Sequence, residues 1–349
     1  MKKTLLALAV MTAAGSAQAG VNLYDNNGVK VDLSGAAEVQ YRNTYDPFDD
    51  AELRLDDGDL ALNTTVAVND QLNAIAGIAF KFEDTKVEND ELWVGFSSNQ
   101  FGALTFGRQL LISDDSGIGK DYELGSEGID FVQTDGNEVI KYVYDNGMFY
   151  AGVSHELKNS DDVVGVDPTD KGQLIKQKNT QITDARLGFR TNGLDARVYY
   201  YNGDNIDGTS FFKDEFMHVE GYNLEAEYQL GQIGLAASFG QIEYKNAANA
   251  DKLRGNIYQV AADYTIDATT FALGYNNYDR RDQSGDTYAV YANVTQQLHS
   301  NVKVYAEIGH SNAKFFAKAD KNADEFPQFD NAYGKDAEFG YVAGMEVTF

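Results

Sequence analysis

The stretch from Ala337 to Phe349 constrains the fold more than any other part of the chain. Phe339, Tyr341, Ala343, Met345, Val347 and the terminal Phe349 alternate with Glu338, Gly340, Val342, Gly344, Glu346 and Thr348. Large apolar residues at every second position make a strand with one oily face; a helix would scatter the same residues around its circumference. The period recurs upstream. Val29, Val31, Leu33, Gly35, Ala37, Val39 and Tyr41 oppose Lys30, Asp32, Ser34, Ala36, Glu38, Gln40 and Arg42. Tyr222, Leu224, Ala226, Tyr228 and Leu230 alternate with Asn223, Glu225, Glu227 and Gln229, and Val302, Val304, Ala306 and Ile308 with Lys303, Tyr305, Glu307 and Gly309. Counting such segments predicts an all-β chain of about sixteen strands. A soluble sandwich shares the period, but its strands are shorter and its polar face lies outside. Strands this long and numerous predict a transmembrane antiparallel β-barrel.

The other end of the chain predicts export. Lys2 and Lys3 precede an apolar run from Leu5 to Met11, and small residues from Ala13 lead to Ala17-Gln18-Ala19. This is the pattern of a cleaved signal peptide over 1–19, with the cut between Ala19 and Gly20 and one barrel domain over 20–349. The apolar run is too short for a spanning helix, which needs roughly 20 residues.

Aromatic residues are abundant, 22 Tyr and 20 Phe, which suits rings gathered at two membrane interfaces. With only 3 Pro, long ladders run uninterrupted. The absence of Cys excludes a disulfide frame, thiolate metal sites and a cysteine nucleophile. A formal charge of −26, with two lysines in the leader, argues against a nucleic-acid partner. If that acidity lines a water path it enriches cations; if it sits on outer loops it solvates the rim and binds divalent ions there.

The connections fall into two length classes. Short links sit at Asn69-Asp70-Gln71, Asp145-Asn146-Gly147, Thr191-Asn192-Gly193, Leu230-Gly231-Gln232 and His299-Ser300-Asn301, where Asn, Asp and Gly suit tight turns. Long polar links fall near 43–58, 110–136, 158–179, 202–215, 244–253 and 313–333. Bacterial barrels have this asymmetry, with short periplasmic turns and long outer loops. About sixteen strands enclose a water-filled lumen, whereas eight are filled by side chains. The third long link is large enough to fold inward and narrow the bore.

The segment Glu91-Leu-Trp-Val-Gly-Phe-Ser-Ser-Asn-Gln-Phe-Gly-Ala-Leu-Thr-Phe-Gly-Arg-Gln109 resembles the strand, turn and strand that lead into the constriction loop of the general diffusion porins of Gram-negative outer membranes. The stretch Val21 to Gly35 resembles their first strand, and the resemblance spans the mature chain. It implies a sixteen-stranded homotrimer in the outer membrane, in contact with lipid and lipopolysaccharide, with the third outer loop folded into each pore. It also implies an assembly signal in the last strand, at Tyr341 and Phe349, read by the barrel assembly machinery.

In that family, acidic residues on the third loop face basic residues on the wall. The resemblance therefore implies a loop set of Asp114, Asp115, Asp121, Glu123, Glu127 and Asp130. For the wall it implies Arg108, which matches the family's Gly-Arg position. Lys81, Lys141, Arg186, Arg190 and Arg197 lie on the polar parity of their strands. Arg108 shares parity with Leu104 and Phe106, so it reaches the lumen only if a bulge at Gly107 or the strand's end re-aims it. The family's basic position on the first strand falls at Ala36, which leaves the wall less basic. Trp93, on the parity opposite Leu92, Val94 and Phe96, reads as packing in the lumen or against the loop.

Neither an enzyme nor a metal or cofactor site is expected. His155, His218, His299 and His310 lack paired metal spacing, Gly125-Ser126-Glu127-Gly128 is no nucleophile elbow, and Ser116 to Lys120 lacks the P-loop pattern. The expected function is passive diffusion of small hydrophilic solutes and ions through a weakly cation-selective pore. Two alternatives stand beside it: a substrate-specific channel, suggested by the tyrosines, and an adhesin or receptor role of the acidic outer loops.

Overall fold

A computed structural model describes residues 20–83, 87–126, 128–157, 180–207, 216–246, 252–281, 285–315 and 334–349, and the backbone of 163–166 and 174–176. In chain order the strands are β1 (Val21–Asn26), β2 (Val29–Asn43), β3 (Glu52–Asn69), β4 (Leu72–Lys81), β5 (Glu88–Ser98), β6 (Gly102–Leu110), β7 (Asp135–Asp145) and β8 (Phe149–Glu156). After the small loop pair β9 (Val163–Val166) and β10 (Leu174–Lys176) come β11 (Gln181–Thr191), β12 (Leu194–Asp207), β13 (Phe216–Leu230), β14 (Ile233–Asn246) and β15 (Lys252–Ile266). The chain finishes with β16 (Thr269–Arg280), β17 (Asp286–His299), β18 (Val302–Ser311), the short pair β19 (Lys314–Phe315) and β20 (Lys335–Asp336), and β21 (Gly340–Thr348).

Neighbours in sequence pair antiparallel all the way round. The two chain ends close the ring together. β21 runs down β2 from Asn43 to Ala36, Phe349 exchanges both backbone hydrogen bonds with Gly35 at 2.9 and 3.0 Å, and β1 resumes the same line opposite Leu33. Counting this composite once, the barrel has 16 strands. Closure leaves no edge strand in the barrel sheet among the described residues, which is what hydrocarbon demands of a backbone. A side chain on Gly35 would put its Cβ 2.6 Å from the Phe349 ring, so the end of the chain seats only over glycine.

The alternation read from the sequence sorts side chains between two solvents. On β2, Ala36, Glu38 and Gln40 are buried toward the lumen while Ala37, Val39 and Tyr41 are exposed outside. Leu92, Val94, Phe96, Leu187, Leu273 and Ile308 stand on the outer belt, each more than half exposed. Tight turns join strands at the end where both termini lie; at Asn192-Gly193 both residues have positive φ, 45° and 87°, the geometry of a two-residue hairpin. The buried apolar residues form no ordinary core. They lie inside the barrel, between its wall and loop 3, the segment 111–134.

Several long links are shorter than the sequence reading made them: 202–207 end β12, and 244–246 and 252–253 belong to β14 and β15. The first link differs most. Residues 52–58, assigned to a long polar loop, form the first part of β3. The register of β3 against β2 shifts there, from Leu55 opposite Val39 to Gly58 opposite Ala37. Asp56 and Asp57 therefore share one partner position, Glu38. Such a bulge breaks the period of two, and the acidic run then imitates a loop.

Candidate functional site

Loop 3 is laced to the inner wall along its length. At its root a short 3₁₀ turn, Ile112–Asp115, follows Leu111, and Leu111 and Ile112 are fully buried. Ile112 sits in a cluster with Ile75, Trp93, Ala103, Val143 and Tyr199. Trp93 packs directly over Gly77, where an added Cβ would lie 2.4 Å from the indole, and donates its N–H to Glu91 at 2.9 Å. The amide of Ile112 donates to Ser154 Oγ at 2.9 Å and that of Ser113 to Asp184 Oδ2 at 2.6 Å. Arg186 pairs with Asp115.

Further along, Glu225 accepts from Ser116 Oγ at 3.0 Å and from the amide of Gly117 at 2.7 Å, and Arg197 Nε holds its other oxygen at 2.5 Å. A second Arg197 nitrogen reaches the Gly117 carbonyl at 3.0 Å. Lys120 reaches Glu227 at 3.3 Å and Asp263 at 3.7 Å. At the tip, Glu307 accepts the backbone amides of Tyr122, Glu123 and Leu124 at 2.8, 2.9 and 2.7 Å. A fixed carboxylate facing three converging amides makes charge-assisted bonds, stronger than neutral ones. Tyr122 stacks on Tyr305 with ring centroids 3.4 Å apart, and Leu124 is fully buried beside Tyr45, Tyr291 and Val342. Burying that leucine stabilises the docked tip by about 2 kcal/mol. On the return arm, Asn276 bonds the Gly125 carbonyl at 2.5 Å, Tyr244 that of Asp130 at 2.8 Å, and Tyr201 that of Gln133 at 2.8 Å.

The loop thus runs out along β8, β11, β12, β13, β17 and β18 and returns past β16, β14 and β12. The rest of the bore is lined by β2 to β5. There Gln40 and Arg54 both bond Asp56, and Lys81 faces Asp90 at 3.5 Å. Arg42 Nη1 reaches the loop at Glu123, 2.7 Å away, and Arg54 joins the same carboxylate. Asp59 lies across from Ala36 on β2 and from Lys81 on β4, on the lumen side.

The acidic residues expected on the loop have different fates. Asp115 pairs with Arg186, and Glu123 with Arg42 and Arg54. Asp121 accepts the Gly125 amide at 3.0 Å, while burial pushes its carboxyl above the ordinary range. Asp130 is exposed and accepts the Val132 amide at 2.6 Å. Asp114 is open to lumen water but ringed by protein at longer range; that loss of bulk solvent pushes its carboxyl up to about 6, despite a 2.8 Å hydrogen bond from Thr134. Glu127 lies outside the described residues, as does Ala19; Gly20 opens the described chain.

Among the expected basic wall residues, Arg186 and Arg197 hold the loop rather than face it across the bore. Arg190 pairs with Asp145 at 2.6 Å and Asp195 at 2.8 Å, and Lys141 donates to the Leu110 carbonyl at 2.9 Å at the loop's root. Lys81 faces the lumen beside Asp59 and Asp90. Arg108 stands opposite Leu92, on the outer side, and bonds Asn137 at 2.7 Å and Asn89 at 2.8 Å. Gly107 does have a positive φ of 129° and the register with β7 shifts there, but the pairing with β5 runs on unbroken and keeps Arg108 on the side of Leu92. Tyr341 also faces outward, 6.2 Å from the Tyr41 ring. The sequence reading did not single out Arg42, Arg54, Glu225 and Glu307, although all but Arg54 sit on polar parity in strands it recognised. Their roles depend on the path of the loop.

A family model for the Gram-negative porins matches residues 4–315. The chain is 49% identical over 100% of its length, and 100% of the relative's, to a porin-like protein H of Photobacterium profundum. It is 25% identical to outer membrane protein U of Vibrio vulnificus, over 78% of this chain and 67% of that one. Among solved structures, a loop-deleted OmpT of Vibrio cholerae overlays with a TM-score of 0.74 at 18% identity, covering 93% of this chain and 100% of that one. An anion-selective porin of Comamonas acidovorans overlays with a TM-score of 0.68 at 17% identity, covering 92% and 100%. A sixteen-stranded barrel with its third loop laced inside it, matched along most of its length by that family, places this chain among the Gram-negative porins, channels of the outer membrane.

Proposed function

We propose that the barrel passes small hydrophilic solutes and ions by passive diffusion, with a weak preference for cations. One observation carries the reading: Arg42, Arg54, Arg186, Arg190 and Arg197 are each bound to carboxylates, while the wall from β2 to β5 keeps more carboxylates than cations. Lumen-facing Glu38, Asp56, Asp57, Asp59 and Asp90 stand near Arg54, Lys81 and Lys303, and Lys303 is itself paired with Glu346. A bore with low-dielectric walls concentrates counter-ions of the opposite sign. The fold alone does not set that sign, since a neighbour of the same architecture is titled anion-selective. A homotrimer is supported by the trimer form of OmpT, which overlays with a TM-score of 0.69 at 17% identity. Residues 1–19 act as the signal peptide, Tyr341 and Phe349 as part of the assembly signal, and the outer belt meets lipid and lipopolysaccharide.

The test is the reversal potential of the reconstituted protein across a potassium chloride gradient. Discrete conductance steps with a potential of cation-selective sign are expected. Anion preference would mean that the acidity lies outside the conduction path, and absence of conductance would overturn the channel reading itself.

A further inference from the structure

We propose that the ion preference of this pore is determined by Asp57 and Asp59 on β3, and not by the acidic residues of loop 3. The proposal rests on the cation-preference reading and names the residues behind it. Charge compensation differs between the two sides of the bore. On the loop side, Asp115 has Arg186, Glu123 has Arg42 and Arg54, and Asp114, Asp121 and Asp130, without a cation, each hold a hydrogen-bond donor: the Thr134 hydroxyl, the Gly125 amide and the Val132 amide. Wall carboxylates behind the loop are matched too: Glu225 by Arg197, Glu227 by Arg197 at 2.7 Å and Lys120 at 3.3 Å. Glu307 has three backbone amides and Asn293, at 3.0 Å. A carboxylate with a cation in contact contributes little net charge to ions passing several ångströms away.

On β3 the cations are already engaged. Asp56 is bonded by Arg54 and Gln40, and the same Arg54 also holds Glu123. The bulge turns the next residue, Asp57, toward Glu38 as well, and Asp59 follows on lumen parity. No hydrogen bond or ion pair joins Asp57 or Asp59 to any other described residue. The charges acting on Asp57 are Glu346, Lys303 and Arg54; Lys303 is paired with Glu346. Those acting on Asp59 are Asp57, Glu83, Asp90 and Lys81, and Lys81 faces Asp90. Two half-buried carboxylates with no hydrogen bond or ion pair to another described residue act on the ion path with less local compensation than those of the loop. They lie within one screening length of passing ions, about 10 Å at 0.1 M salt.

The experiment compares two double variants of equal charge change, Asp57→Asn with Asp59→Asn, and Asp114→Asn with Asp130→Asn, by reversal potential in a potassium chloride gradient near 0.1 M. The wall pair should lower the cation-to-anion permeability ratio at least ~2-fold, and the loop pair by less than ~1.3-fold. Unit conductance at about 1 M salt, where screening shortens to about 3 Å, should match the wild type in both and serves as the control for an intact pore. If the wall pair does not insert, the single variants Asp57→Asn and Asp59→Asn carry the comparison, each with about half the logarithmic shift. A loop-pair effect equal to or larger than the wall-pair effect would overturn the proposal while leaving cation preference intact. A wild-type pore without cation preference would instead overturn the reading on which it rests.

Discussion

The wall behind loop 3 and the wall from β2 to β5 are built from the same alternating strands, yet they use lumen-facing carboxylates in opposite ways. Behind the loop, Asp184, Glu225 and Glu307 accept backbone amides of the loop, so acidity there does structural work on a chain segment that would otherwise leave its amides unpaired. On β3 the carboxylates meet no loop. Asp57 and Asp59 are half-buried and have no hydrogen bond or ion pair to another described residue, which on our proposal leaves their charge to act on solutes. The difference teaches that net charge in a pore is a poor guide to selectivity until the partners of each carboxylate are known.

The largest effect should come from cutting the tip anchor. Glu307→Ala removes the acceptor of the Tyr122, Glu123 and Leu124 amides, a loss of about 3 kcal/mol or more in loop docking. Single-channel records should show raised open-channel noise and a larger unit conductance; a quiet, unchanged channel would mean that the apolar seat alone holds the tip. Next comes the root. Gly77→Ala drives a methyl into the Trp93 ring and should destabilise the barrel by about 1–3 kcal/mol. Because Trp93 is the only tryptophan, its emission should shift to the red as the seat loosens.

Arg186→Ala converts one paired carboxylate into an open one by freeing Asp115. The loop side then resembles the β3 side, and the cation-to-anion ratio should rise by about 1.5-fold. An unchanged ratio would show that Asp115 lies off the ion path. The smallest effect is expected from the titration of Asp114. With its carboxyl raised to about 6, Asp114 becomes neutral in mild acid, so its own share of the cation preference, less than about 1.3-fold, should be lost as pH drops through 6, and wild type and Asp114→Asn should converge there. The corresponding stability term has the sign of a buried acid: it is present in full below about pH 4, and is lost as pH rises through about 6.

Much of the fold was legible because a barrel wall repeats one rule. Each residue of β2 from Ala36 to Tyr41 takes the face its parity assigns, and tight turns lie at Asn146-Gly147 and Asn192-Gly193, where Asn and Gly occur together. The rule fails where the backbone changes phase. At Asp56-Asp57 an extra residue makes two neighbours share one partner position, so an acidic strand imitates a loop. At Gly107 a change of phase toward β7 leaves Arg108 on the outer side because β5 keeps its register.

The sequence by itself determined the period of the strands, the two classes of connection and the residue types that face water, since all three follow from local backbone geometry and side-chain solvation. Only the tertiary structure decided which carboxylates are matched and which are free. That outcome depends on where residues far apart in the chain meet, as Glu307 meets Leu124 and Arg42 meets Glu123, and electrostatic compensation acts through space and not along the sequence.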